Sequence, residues 1–227
     1  MPINWVELNI IDENKQMINE YVEIADYYDN LLTSGYYDFD SLSNTLYNLL
    51  GARRKVLDIG VGTGLLTEKM LSLANYKIVG VDFSPRMLEI AKKRLAISDV
   101  KLICQDITEF ETEEKFEAIV STGGVIATVE EEGEYRIYSH ITEPEKNQQL
   151  LGKLHSQLDD GGLLALAIQG AHTNYRKEIK DDIFYEQKIK KEGNYIDKWY
   201  VFSQANGEVI NEQFCRFYFF DGQQTTQ

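Results

Sequence analysis

From residue 55 onward the chain alternates short, nearly continuous apolar runs with stretches whose apolar residues recur every three or four positions. The runs are "KVLDI" (55–59), "KIVGVD" (77–82), "VKLIC" (100–104), "FEAIVS" (116–121) and "LLALAIQ" (163–169). Such runs suit strands buried on both faces, as in a parallel sheet that helices cover. Between them, one helix is expected from Thr63. A second starts at Ser84, an N-cap followed by Pro85 in the first turn, and sets Met87, Ile90, Ala91 and Leu95 on one face. A third carries Leu150, Leu151, Leu154 and Leu158 up to the stop "DDGG". The pattern predicts an α/β fold: a doubly wound, mostly parallel sheet with helices on both faces. Ligands of such sheets sit at the carboxyl ends of the strands, near the switch in strand order.

After Gln169 the period changes to two. "IFYEQKIK" (183–190), "YIDKWYVFS" (195–203) and "EVINEQFCRFYFF" (208–220) are separated by Gly193–Asn194 and Asn206–Gly207. Asn-Gly is a strong hairpin signal, so three antiparallel strands are expected as a cover or edge of the core. Upstream, "YVEIADYYDNLLTSGYYDFDSLSNTLYNLL" holds six of the fourteen tyrosines. It reads as a helical lid, with Leu42, Leu46, Leu49 and Leu50 toward the core and Tyr27, Tyr28, Tyr36 and Tyr37 flanking Gly35. One domain is expected over 1–227: lid 1–50, core 51–170, and strand extension 171–227.

Composition narrows the partners. Thirty-seven acidic against twenty-three basic residues leave a net charge of −14, and "KIKKEG" (188–193) is the densest basic cluster. Phosphate backbones need a basic face, so nucleic acid is not expected. The longest strongly apolar run is "LLALAI" (163–168), far short of a membrane span, and the opening "MPINWVELNIIDENK" lacks a basic region followed by an apolar core. No membrane association is expected. Cys104 and Cys215 read as reduced, half-buried thiols in a cytoplasmic protein, and no metal site is expected.

The candidate chemistry lies in "KVLDIGVGTGLLTEKML" (55–71), where a strand enters a glycine turn. No Lys follows the glycines as a phosphate loop requires. Gly60, Gly62 and Gly64 give G-x-G-x-G, and Leu65 occupies the third position of the dinucleotide fingerprint. Asp58 ends the strand, where its charge repels a pyrophosphate and attracts a cation. Asp82 follows 24 residues later, placed to accept from both ribose hydroxyls, and Asp106 a further 24 residues on, placed to accept from an adenine amine. Phe83 or Ile107 packs on the ring, and Met87 joins these contacts. Receptors for an ammonium, a ribose and an adenine at three strand ends describe an aminoacyl nucleoside.

"VLDIGVGTGLLT", "VGVDFSPRML", "CQDITEF", "FEAIVSTGGV" and "LDDGGLLALAIQG" resemble the successive motifs of class I S-adenosylmethionine-dependent methyltransferases, over about Lys55 to Gly170. The resemblance implies a Rossmann-like fold with S-adenosylmethionine as cofactor. It puts Asp58 and the Gly60–Gly64 turn at the methionyl end, Asp82 on the ribose, Asp106 on the adenine amine, and Ser121 to Gly123 along the approach to the sulfonium. "STGG" replaces the Asn-Pro-Pro-Tyr tetrad of adenine and glutamine methyltransferases and lacks the acidic base of spermidine synthases. A small-molecule acceptor, methylated on nitrogen or oxygen in biosynthesis, fits better.

"ADYYD" resembles the N-terminal lid of small-molecule N-methyltransferases and makes Tyr28 the tyrosine that faces the cofactor, with a catalytic role. The segment "VIATVEEEGEYRIYSHITEPEKNQQ" (125–149) reads as a long rim loop carrying His140, and "AIQGAHTNY" adds Gln169 and His172 to the same rim. Either histidine is a candidate general base toward an amine or hydroxyl. Tyr36, Tyr37, His140, Gln169 and His172 are the expected acceptor contacts. The family's sheet normally ends in a helix and a two-strand hairpin. Here either the late strands replace that hairpin or the chain is one domain of a multidomain enzyme; a homodimer is the other assembly considered. Two other functions remain open: a non-catalytic S-adenosylmethionine-binding module, and a nicotinamide-dependent oxidoreductase, which Leu65 and Asp58 disfavour.

Overall fold

The structure is a computed structural model that describes residues 21, 24–131 and 133–220. The first twenty residues of the expected lid and the tail 221–227 of the strand extension lie outside the described residues. The lid segment forms helix α1 (Ala25–Leu31), a π-turn (Leu32–Tyr36) and helix α2 (Phe39–Leu50). Gly35, at φ +89°, breaks the first helix, and Asp38 caps the second by accepting from the Ser41 N–H at 2.9 Å.

The core then runs β1 (Lys55–Ile59), α3 (Leu65–Leu73), β2 (Lys77–Asp82), α4 (Pro85–Arg94), β3 (Val100–Cys104) and β4 (Phe116–Ser121). A hairpin, β5 (Ile126–Glu131) and β6 (Glu134–Ser139), precedes α5 (Pro144–Gln157) and β7 (Leu158–Leu166). The five core strands pair in parallel in the order β3-β2-β1-β4-β7. Order reverses between β1 and β4. Ser84 caps α4 as expected, its hydroxyl accepting from the Met87 N–H at 3.4 Å, whereas α3 begins at Leu65, two residues after Thr63.

Alternation along the strands dresses both faces of this sheet. Leu57, Val79 and Ile119 pack with Leu150 and Leu154 of α5 on one side. Val56, Ile78 and Ala118 pack with Leu46 and Leu50 of α2 and with Leu66 and Met70 of α3 on the other. The expected helices on both faces are present.

Three expectations need correction. The segment 125–149 is no open loop; its first half is the β5–β6 hairpin, turned at Gly133 (φ +84°), with acidic Glu131 and Glu134 near the tip. The fifth run splits at Ala167, which donates to Ser121 O at 3.0 Å and accepts from Thr128 N–H at 2.9 Å. Past it, β8 (Ile168–Gln169) leaves β4's sheet and pairs in parallel with β5. The late strands number four: β9 (Tyr175–Lys180), β10 (Ile183–Glu192), β11 (Tyr195–Gln204) and β12 (Val209–Phe219). They build a separate seven-stranded sheet, β8-β5-β6-β12-β11-β10-β9, instead of lengthening the parallel one. β9 escapes sequence reading because "YRKEIK" is mostly polar. The cysteines are free but differ in burial: Cys215 is enclosed, while Cys104 ends the edge strand β3 and is exposed. No helix among the described residues is long and apolar enough to cross a membrane.

The second sheet's inner face (Tyr138, Tyr185, Tyr200, Phe202 and Phe217) packs with Tyr21, Ile24 and Leu31 of the lid segment. The lid is clamped to the core by Asp29, which accepts from Arg94 at 2.5 Å and from the Thr63 hydroxyl at 2.6 Å. Arg94 also donates to the Thr63 carbonyl at 2.5 Å, so α1, the glycine turn and α4 meet at one partly buried ion pair. Asp29→Ala should cost about 1–2 kcal/mol in urea unfolding, the worth of charged hydrogen bonds half-shielded from water. The amides of Ala25–Leu31 should exchange faster in that variant; unchanged exchange there would refute the clamp.

Candidate functional site

A cavity of about 650 Å³ opens at the carboxyl ends of the core strands, beside the reversal between β1 and β4 and under the lid. That volume lies in the range of sites for sizeable small molecules, about 300–1,000 Å³. The glycine turn divides its work. Gly60 (φ +75°) lies so close to Gly124 that a Cβ on it would stand 2.6 Å from the Gly124 Cα. Gly64 (φ +78°) lets α3 approach α4, where a Cβ would meet Leu95 at 3.0 Å. Gly62 (φ +55°) alone has nothing within 4 Å of its missing Cβ and borders the cavity. Bare backbone borders the cavity at Gly60 and Gly62, with Gly60 also fixing the close approach to Gly124, whereas Gly64 serves packing.

Asp82 stands on the cavity wall, one oxygen accepting from Gly62 N–H at 2.8 Å and the other from Ser84 N–H at 2.9 Å. Burial raises its pKa, and those two backbone bonds oppose the rise. Asp106, exposed on the wall, accepts from the Thr108 amide and hydroxyl, both at 2.8 Å and both through Oδ1. Phe83, Met87, Ile107, Tyr28, Tyr37 and His140 line the same cavity. Asp58 does not. It is 2% exposed beneath the turn and accepts from the Thr67 hydroxyl at 2.8 Å. Burial pushes its carboxyl up to about 6, with Thr67 opposing and Asp82 reinforcing the rise. Ser121 is likewise withdrawn: fully buried, its hydroxyl accepts from Ile126 N–H at 3.2 Å, and Thr122 and Gly123 face the cavity in its place.

Behind Gly123 lies a recess of about 10 Å³, room for one water-sized group. It shares Tyr28, Tyr37, Gly123 and His140 with the larger cavity and adds Tyr36, Gln169 and His172, together with Lys198 of β11. Gln169 donates to the Tyr37 hydroxyl, and a Cβ on Gly123 would collide with both, at 2.5 Å and 2.7 Å. Burial raises the pKa of Tyr28, Tyr36 and Tyr37, so all three phenols stay protonated. His140 follows β6, hydrogen-bonds the Gly123 backbone and meets the Phe217 ring edge-on at 4.6 Å. His172 is 5% exposed, and neither of its ring nitrogens has a hydrogen-bond partner among the described residues. Burial and then Lys198 push both imidazoles down to about 3, so both are neutral hydrogen-bonding groups at ordinary pH.

Lys198 was missed. It is 1% exposed, donates to the Tyr36 hydroxyl at 2.9 Å and lies 4.2 Å over the Tyr200 ring. Burial brings its pKa down to about 7. A signal existed: along "YIDKWYVFS" the parity sets Lys198 with Ile196, Tyr200 and Phe202 on the apolar face.

A doubly wound α/β domain with a glycine turn at its switch point and carboxylates after β2 and β3 is a nucleoside-cofactor binder. Residues 56–162 match the family model described as a methyltransferase domain. The chain carries a class I S-adenosylmethionine-dependent methyltransferase domain. The malonyl-[acyl-carrier protein] O-methyltransferase of Acetivibrio thermocellus is 35% identical over 85 residues, 35% of this chain and 30% of that one. A second malonyl-[acyl-carrier protein] O-methyltransferase, from Ilyobacter polytropus, is 29% identical over 144 residues, 60% of this chain and 47% of that one. The chain thus spans less than half the length of these curated relatives. In fold it resembles the CcbJ methyltransferase from Streptomyces caelestis (TM-score 0.70, 16% identity, 92% of this chain and 84% of that one). It also resembles the sugar N-methyltransferase KedS8 from a Streptoalloteichus species (TM-score 0.63, 15% identity, 87% and 80%).

Two outcomes are expected. Gly62→Ala should cost about 1–2 kcal/mol, the strain of a left-handed residue, and Gly60→Ala distinctly more because its methyl group must push neighbouring backbone aside; equal losses in denaturant titration would contradict that division. Lys198 has a folded pKa below its ordinary 10.5, so between about 7 and 10.5 the unfolded chain holds the extra proton and stability rises with pH. Lys198→Met should remove that rise, at most about 1.4 kcal/mol per pH unit, and stabilise the fold at pH 7. Parallel urea-stability profiles for the two proteins from pH 7 to pH 9 would sink this account.

Proposed function

We propose that the protein transfers the methyl group of S-adenosylmethionine to a nitrogen or oxygen of a small metabolite or natural product. The observation that carries this reading is the pairing of a nucleoside-sized cavity with a polar, aromatic-walled recess that meets it at Gly123. A passive cofactor-binding module needs the first and has no use for the second. The names of the relatives agree in outline, since a malonyl-[acyl-carrier protein] O-methyltransferase and a sugar N-methyltransferase occur among them.

The residues present suit the cofactor. Each Asp82 oxygen already accepts one backbone N–H and keeps a lone pair for a ribose hydroxyl. The Oδ2 of Asp106 has no hydrogen bond among the described residues and suits an exocyclic amine, with Phe83 and Ile107 against the ring. Gly62 admits the chain of the amino acid, and the buried Asp58 charge balances its cationic end through the turn rather than by contact. When bound, S-adenosylmethionine supplies an electrophilic methyl group on a sulfonium. Tyr28 and Tyr37, on the lid side, exclude water and hold the acceptor in line, and positioning of this kind supplies much of the acceleration of a displacement. His140 and His172, neutral in the apolar surroundings, orient the acceptor by hydrogen bonding.

Calorimetry with S-adenosylhomocysteine and with NADH tests the reading. S-adenosylhomocysteine should bind, and Asp82→Ala should weaken it by about 1.5–3 kcal/mol, the cost of lost charged hydrogen bonds. Binding of NADH alone would overturn the proposal in favour of hydride transfer. Mass spectrometry of acceptor mixtures should then reveal products heavier by one CH₂.

A further inference from the structure

We propose that the recess behind Gly123 is an anion seat, in which Lys198, Tyr36 and His172 receive a carboxylate carried by the methyl acceptor. The inference rests on the methyl-transfer reading and names the chemical class of its acceptor.

Lys198 is a buried amine without a counter-ion: among the described residues no carboxylate lies within ion-pairing distance of it. The neighbouring Asp197 points to the other face of β11, where Arg216 binds it through two contacts at 2.5 and 2.8 Å. The groups that do face Lys198 are neutral. Cys215 is its cross-strand partner on β12, and burial pushes that thiol up to about 12. Ile189 is its partner on β10. Burial likewise keeps the Tyr36 and Tyr200 phenols protonated, and His140 and His172 stay uncharged. A buried ion is tolerated when paired and hydrogen-bonded, and nothing on this face of the sheet supplies the pair.

The second observation is independent. His172 lines the same recess at 5% exposure with both ring nitrogens unpartnered among the described residues. A neutral imidazole offers one N–H donor, the Tyr36 hydroxyl accepts from Lys198 and keeps its own proton to give, and the ammonium has two further protons. Donors from three elements therefore border one small space, which suits an anionic oxygen and repels an ammonium. The recess has room for one oxygen-sized group, which suits a single carboxylate oxygen reaching in from the cofactor cavity and leaves no space for a tetrahedral phosphate. Because Tyr28, Tyr37, Gly123 and His140 border both spaces, an acceptor held by its carboxylate extends past Gly123 toward the cofactor cavity.

The test uses the protein saturated with S-adenosylhomocysteine, whose binding is first measured by calorimetry, so that failure of the cofactor reading is seen separately. Formate is the probe, with formamide as neutral and methylammonium as cationic control, and sodium chloride at matched ionic strength. Formate should raise the unfolding midpoint saturably and shift the Lys198 side-chain resonance in lysine-labelled protein, while the controls do neither. Lys198→Met should weaken formate by about tenfold or more, the worth of a charged hydrogen bond, and leave S-adenosylhomocysteine binding within twofold. Tyr36→Phe, which leaves the ammonium in place, should weaken formate several-fold. The proposal is overturned if formate acts no differently from chloride, if Lys198→Met retains the response, or if inorganic phosphate binds more tightly than formate.

Discussion

The site depends on one contact between bare backbones. Gly60 opens the turn after β1 and Gly124 lies in the turn after β4, and each lies where a Cβ on the other would clash at 2.6 Å. Because order in the parallel sheet reverses between these two strands, a crevice forms there, and the contact sets how closely its two sides approach. Gly62 is thereby presented to the cavity, and its N–H fixes Asp82 across from it. Gly123, one residue before the contact, stands where the large cavity meets the recess. A side chain at either end of that contact would move the cofactor wall and the acceptor wall together.

The second sheet gives the domain its separate chemistry. Ala167 hands the last core strand from one sheet to the other, so both are rigidly coupled at the rim of the site. The lid then bridges them: Asp29 ties it to Arg94 and Thr63 of the core, while Lys177 and Lys198 of the second sheet hold Ser34 and Tyr36 of its π-turn and Gln169 holds Tyr37 just after it. Polar groups sit in an otherwise aromatic interior, and among them burial lowers the pKa of Lys198, so its charged form opposes stability. A residue that opposes stability and faces a cavity is the kind of local conflict found at functional positions.

The parallel core was legible because each signal is local. Continuous apolar runs, a capping Ser84–Pro85 pair and glycines after a strand act within a few residues, and strand ends of a doubly wound sheet fall near the switch point whatever follows. The placement of Asp82, Asp106, Phe83, Met87 and Ile107 at the strand ends, where they line the cavity, was readable for the same reason. Asp58 and Ser121 were misplaced by a step because position at a strand end does not say whether a side chain turns into the crevice or under it. Tyr36, Gln169 and His172 came together as a group, though in a recess beside the cofactor cavity and not on an open rim. The hairpin in 125–149 and the fourth late strand were obscured by charged residues, which hide a period of two.

The sequence by itself determined the class of cofactor and the sheet that holds it, since apolar runs, a glycine turn and carboxylates at successive strand ends are local signals. Only the tertiary structure decided what lines the recess beside the cavity. Lys198, His172 and Tyr36 lie on segments up to 162 residues apart and meet because a second sheet folds over the lid. Pairing partners of antiparallel strands, and the charge left unpaired among them, are long-range properties that no window of the chain contains.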